Sequence, residues 1–192
     1  MTALTGKLLI AMPSMPDPRF AHSVVLLCAH SAEGAMGLII NKRLPDLSLF
    51  KLLEHLDLAP EHDAAGLGAT ANDMPVHFGG PVETSRGFVV HTPDFFGSEG
   101  SAQVTDDLVL STSVEVLSEM ARGQGPGHAL IALGYSGWGP QQLESEIQAG
   151  GWLTADSGRA LLFDTEDNLR WSAALGQIGV DPRLLSGATG HA

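Results

Sequence analysis

The chain has 192 residues, 44% of them hydrophobic and 17% charged, a make-up that allows a substantial buried core and excludes a disordered or fibrous protein. Its 10 basic and 22 acidic residues give a formal charge of −12, and the excess grows along the chain, from 6 against 10 in residues 1–96 to 4 against 12 in residues 97–192. Binding nucleic acid requires Lys and Arg to neutralise phosphates, and the only adjacent basic pair is Lys42-Arg43, so direct nucleic-acid binding is disfavoured; an acidic surface suits solubility or a basic partner.

The N-terminus has one lysine and a very short apolar run followed by prolines, which is not the architecture of a secretory signal. The longest apolar stretches, "SVVLLCA" (23–29) and "HALIALG" (128–134), fall far short of the roughly 20 residues a membrane-spanning helix requires. Cys28 is the single cysteine and sits in an apolar run, so it reads as an inert buried thiol in a reducing compartment. Together these features point to the cytoplasm and to no membrane.

In chain order, "KLLIAM" (7–12) reads as a strand stopped by Pro13, with a proline-rich loop behind it. "SVVLLCA" and "MGLIINK" (36–42) read as strands joined by the hairpin connection 30–35. "LSLFKLLEHLDL" (47–58) places Phe50, Leu53 and Leu56 at helical spacing, with Ser48 as cap. Residues 61–73 read as a mobile surface loop, and "PVHFGGPV" (75–82) with "RGFVVHT" (86–92) as a strand pair around a Gly-Gly-Pro turn. A long connection (93–107) leads to a strand at 108–111 and to a helix within 111–123, capped by Ser113 and stopped by Gly123.

"HALIALGYS" (128–136) reads as a central buried strand. "PQQLESEIQAGG" (140–151) reads as a short helix with proline first and glycine last, 160–165 as a strand, and 167–179 as a last helix with Trp171, Leu175 and Ile178 on one side. No repeat or linker interrupts this order, so residues 1–192 read as one domain.

A nucleophile elbow needs glycines two before and two after its serine, whereas Gly134-Tyr135-Ser136-Gly137-Trp138 puts a tryptophan in the second position, and the only histidine after Ser136 is His191. A hydrolase using Ser136 is therefore the minor alternative. The amides at the start of the following helix could hold an anion, but no Lys or Arg is present there and Glu144 and Glu146 follow closely. The eight histidines have no metal-ligand spacing; His77 and His91 lie in adjacent strand candidates and could meet, yet two ligands make no metal site. Asp17 reads as a turn former and the three tryptophans as core and lip residues. No catalytic residue, metal or cofactor is assigned on these grounds.

"GKLLIAMPSMPDPRFAHSVVLLCAH", "EGAMGLIINK", "FGGPV", "RGFVVHT", "LGYSGWGPQQLESEI", "GWL", "LLFD" and the closing "GHA" form an ordered, nearly chain-long set that resembles the YqgE/AlgH family of bacterial proteins. The resemblance implies an α+β fold: a compact domain with a mixed, largely antiparallel sheet, barrel-like or bifurcated, and peripheral helices. It carries no agreed catalytic residues, and a transcriptional-regulator label on some members. Relatives with alanine at the position of Ser136 argue against a shared serine nucleophile. The leading expectation is a non-enzymatic protein that binds a protein partner or small ligand through two glycine-rich loops, Gly79-Gly80-Pro81 and Gly134-Tyr135-Ser136-Gly137-Trp138-Gly139; regulation through a DNA-binding partner is the second, and a scattered site of Ser136, His77, His91 or Asp17 the third.

Overall fold

The computed structural model describes residues 4–58, 73–95 and 99–185. The expected loop 61–73, apart from Asp73, and His191 lie outside the described residues. Ten strands form one mixed sheet with the path β10-β1-β2-β3-β9-β6-β8-β7: β1 (Lys7–Ala11), β2 (Val24–Ser31), β3 (Gly34–Ile39), β6 (Val82–His91), β7 (Ser101–Thr105), β8 (Leu108–Ser111), β9 (Ala129–Trp138) and β10 (Trp152–Asp156). Off this path, β4 (Arg43–Ser48) pairs with β5 (Pro75–Phe78), which pairs with β9. Every pairing is antiparallel except β5 with β9. The expected α+β class, with its curled and forked sheet, is the one observed.

The fork lies on β9. One edge of that strand pairs with β6 along most of its length; the other pairs with β5 at Ile131–Leu133 and then with β3 at Ser136–Trp138. The expected hairpin of 75–82 with 86–92 does not form, because β9 runs between the two strands. The Gly-Gly-Pro segment instead crosses β9, with Gly80 at φ +155° and Gly134 at φ +72°. A Cβ on Gly79 would stand 2.2 Å from the Gly134 carbonyl oxygen, and one on Gly80 2.2 Å from the backbone of Tyr135. Only glycine lets two backbones approach this closely.

Alternation along the strands sorts side chains into three cores. Leu8, Ile10, Val24, Leu26 and Leu38 join Phe88, Val90 and Leu130 inside the curl. That interior is filled by a π-helical turn (Ala160–Asp164) and by α4 (Asp167–Gln177). Leu9, Val25, Leu27 and Ile39 face the other way and are covered by Trp138, Trp152 and Leu143 of α3 (Gln142–Gln148). Burial on both faces explains why Val24–Cys28 is continuously apolar. The third core lies between β5-β9-β6 and two helices, α1 (Leu49–His55) and α2 (Val114–Ala121). Ser48 and Ser113 cap these helices as expected, accepting from the amides of Lys51 and Glu115. The chain ends, as described, in the short α5 (Pro182–Leu185).

Several elements differ from the sequence reading. The expected long connection 93–107 contains β7, and β4 and β10 are further strands that the reading did not pick out. In α1 the buried residues are Leu49, Leu52 and Leu53, with Leu56 at 42% exposure, so the helix is rotated from the expected Phe50–Leu53–Leu56 face. The expected strand 160–165 is the π-helical turn, held by Arg170. That guanidinium, only 4% exposed, donates to the carbonyls of Leu161, Leu162, Thr165 and Ile40. Consequently the inner face of α4 is Arg170, Ala174 and Leu175, while Ile178 remains 37% exposed.

Candidate functional site

The two glycine-rich segments do come together, but largely as packed backbone. Residues 134–138 belong to β9 and are not a loop; the turn into α3 occupies 139–141. Ser136 is fully buried, and its hydroxyl donates to the Gly79 carbonyl at 3.2 Å. The same carbonyl accepts from the Ile39 amide at 2.8 Å, so the serine completes the fork where β5 gives way to β3. A strained, exposed elbow is absent at this position, which removes the geometric basis of the hydrolase alternative. Tyr135 packs edge-on against Phe88 at 5.9 Å. The Gly139 amide is engaged by Gln142 Oε1 at 3.0 Å, so the helix entrance is not an open anion cradle.

Pro81, Gly137 and Trp138 of the expected loops reach a cleft of about 570 Å³ on the α3 side of the sheet. Its other walls are the β1–β2 loop, with Met15, Pro16, Asp17, Arg19 and Phe20, and the α3–β10 turn with Trp152. Phe20, Trp138 and Trp152 meet pairwise, with centroids 5.8 to 6.5 Å apart and two of the three contacts edge-to-face. Glu146 ties the walls together: one carboxylate oxygen accepts from the indole N–H of Trp138 at 3.0 Å and of Trp152 at 2.8 Å. The other accepts from Gln142 at 2.9 Å, one helical turn earlier. Apolar walls around a few fixed polar groups are the general form of a binding pocket. At the rim Arg19 forks onto Asp17, holding that carboxyl below its ordinary value.

A larger cavity of about 890 Å³ opens where the two ends of the curl approach each other, between Gly6 and Thr105. Its cations are already engaged, Lys7 by Asp156 and Arg159 by His128, and its walls are more polar.

His77 and His91 do not form a joint site, because they enter separate networks on opposite edges of β9. His77 contacts the Ile131 carbonyl through Nδ1 at 3.1 Å and Asp167 through Nε2 at 3.0 Å. Burial pushes the Asp167 carboxyl up, but hydrogen bonds from His77 and Arg43 and the charges of His77 and Arg170 outweigh it, so Asp167 lies below the ordinary carboxylate range. This network clamps the start of α4 to β5.

His91 is fully buried and its Nε2 meets the Ser111 hydroxyl at 2.8 Å, while Ser111 meets Ser101 at 2.7 Å. Nothing in the sequence around Ser111 signals this serine–histidine contact, since the two residues lie 20 positions apart on neighbouring strands. With Ser111 only 1% exposed, the chain of hydrogen bonds joins β6, β8 and β7 and presents no accessible nucleophile. Among the described residues no three His, Cys, Asp or Glu side chains converge on a point that could hold a metal ion, and no helix is long and apolar enough to cross a membrane.

The curled, forked sheet with its peripheral helices defines an α+β protein. The chain belongs to the AlgH-like family, whose model matches residues 8–183. It is 51% identical over 191 residues to a UPF0301 protein of Paracoccus denitrificans, covering 98% of this chain and 97% of that one. A UPF0301 protein of Ruegeria pomeroyi is likewise 51% identical, over 189 residues, with 98% and 99% covered. The solution structure of the AlgH protein from Pseudomonas aeruginosa superposes with a TM-score of 0.78 at 41% identity, covering 100% of this chain and 97% of that one. A crystal structure from Corynebacterium diphtheriae shares the fold at 20% identity, with a TM-score of 0.73 over 97% and 93% of the two chains.

Proposed function

We propose that this protein is a non-enzymatic cytoplasmic binding protein, and that the cleft between the β1–β2 loop, Pro81 and α3 receives a small ligand or the apolar side chains of a protein partner. The observation that carries this reading is Glu146. A half-buried carboxylate that draws two indole N–H groups onto one oxygen fixes Trp138 and Trp152 as rigid walls, and a rigid wall loses little entropy when a ligand arrives. The burial of Ser136, Ser111, His77 and His91 supports binding over catalysis, because these four nucleophile or base candidates are enclosed, while Asp17, at the rim, is held by Arg19.

The test is a titration with an uncharged aromatic probe, 2-phenylethanol, followed by the three indole N–H signals in NMR. The Trp138 and Trp152 signals are expected to move while that of Trp171, which donates to the Ala11 carbonyl outside the cleft, stays still. Ala149→Trp, which fills the cleft from an exposed position on its wall, abolishes the shifts. Equal movement of all three signals, or none, overturns the proposal.

A further inference from the structure

Resting on the binding reading above, we infer that the cleft selects a cation: an ammonium or guanidinium group on an apolar stem, set against Glu146. The three donors on Glu146, from Trp138, Trp152 and Gln142, are all neutral N–H groups. They fix the position of the carboxylate without cancelling its unit of charge. Among the described residues no Lys, Arg or His forms an ion pair with it.

Among the described residues the one cation in the wall is Arg19, and it is neutralised by Asp17, whose carboxylate takes its Nε at 3.0 Å and its Nη2 at 2.6 Å; Lys42, outside the lining, also acts on Asp17 and donates to the Pro18 carbonyl. The lining therefore carries one net negative charge, at a place where an arriving ligand removes water. A neutral ligand leaves that charge poorly solvated, an anionic one adds repulsion, and a cation answers it. The walls suit a cation as well: the Arg19 guanidinium already lies 6.0 Å from the centroid of Phe20. Met15, Pro81 and Trp138 offer the surface for the stem. The chain's charge of −12 draws such a ligand in from a distance.

The test compares three probes of one shape, 2-phenylethylammonium, 2-phenylethanol and 3-phenylpropanoate, by the Trp138 and Trp152 indole signals, in the native protein and in Glu146→Gln. The glutamine keeps an oxygen to accept from both indoles and removes the charge; its amide nitrogen then faces Gln142, so the Gln142 contact is given up. In the native protein the ammonium is expected to bind about tenfold tighter than the alcohol, with the carboxylate weakest. In Glu146→Gln the ammonium falls to the level of the alcohol, whose own affinity is unchanged. The ammonium advantage also shrinks as salt rises, because the site is open enough to be screened, and this readout stands if Glu146→Gln does not fold.

An ammonium no better than the alcohol, or an advantage that survives in Glu146→Gln, overturns the cation while leaving the cleft as a binding site. No response at the two indoles to any probe overturns both. Comparison with acetyl-Leu-Lys-Leu-amide separates the sources of the cation: tighter binding of the peptide points to a protein partner's lysine, tighter binding of the simple amine to a free one.

Discussion

The Ser136 hydroxyl and the Gly79 carbonyl meet at 3.2 Å inside the fork of the sheet. Because the Ile39 amide also donates to that carbonyl, removing the hydroxyl orphans no acceptor. Ser136→Ala is therefore expected to cost only about 1 kcal/mol, measured by denaturant unfolding, and to leave probe binding in the cleft intact. A fluorophosphonate probe is expected not to label Ser136; labelling at that residue would restore the hydrolase.

The crossing of the glycine segment over β9 has a sharper requirement. A Cβ at residue 80 would meet the Tyr135 carbon and oxygen at 2.2 Å and the Ser136 nitrogen at 2.4 Å, all backbone atoms of a central strand. Gly80→Ala is expected to destabilise the fold by more than about 2 kcal/mol, since a positive φ and an immovable neighbour act together. Gly123→Ala serves as the control: its φ is also positive, but its added Cβ meets nothing within 4 Å, so it pays only the conformational term of about 1 kcal/mol.

Asp167 gives a directional prediction for pH. Its folded carboxyl lies below the ordinary value of 3.8, so on acidification the unfolded chain takes up the proton first. Its contribution is fully present above about pH 4 and fades as pH falls through the lower folded value. Asp167→Asn is expected to cost roughly 3 kcal/mol at pH 7, where it leaves Arg170 without its charge partner. The gap between the two proteins narrows as pH falls below about 4, as urea unfolding across pH would show.

Cys28 occupies the bulge between Leu27 and Ala29 on β2, with its thiol pushed up to about 12 by burial. A thiolate-directed reagent at about pH 8 is expected to react only as fast as the protein opens, with native protection lost in denaturant. Rapid stoichiometric labelling under native conditions would show that the β2–β3 ladder opens readily at this point.

How far the sequence discloses this molecule depends on what each segment buries. β1, β2, β3, β8 and β9 are readable because they are densely apolar, and the caps of α1 and α2 because Ser48 and Ser113 precede periodic runs. β7, "SAQVT", is an edge strand with three exposed residues, so little in it alternates. Residues 160–165 are a short apolar run, which periodicity cannot assign to strand or helix, and the deciding group is a buried arginine further along the chain. In the cleft, Pro81, Gly137 and Trp138 are within the segments the sequence singles out. Glu146 is read from the sequence only as a charge that disfavours an anion, and Trp152 only as a core or lip residue, although Gln142 and Glu146 at i,i+4 on a short helix flanked by tryptophans carried a local signal. The pairing of both indoles with one oxygen depends on β10 lying beside β1, a contact between residues far apart in sequence.

The most direct test of the cleft as the working surface is photo-crosslinking in living bacteria, with benzoylphenylalanine replacing Val82 on the cleft wall or Arg122 on the distant α2 end. The account predicts a discrete adduct from position 82 that disappears when Ala149→Trp is added, and no such adduct from position 122. The same products from both positions, or an adduct from position 82 that persists with the cleft filled, would contradict it.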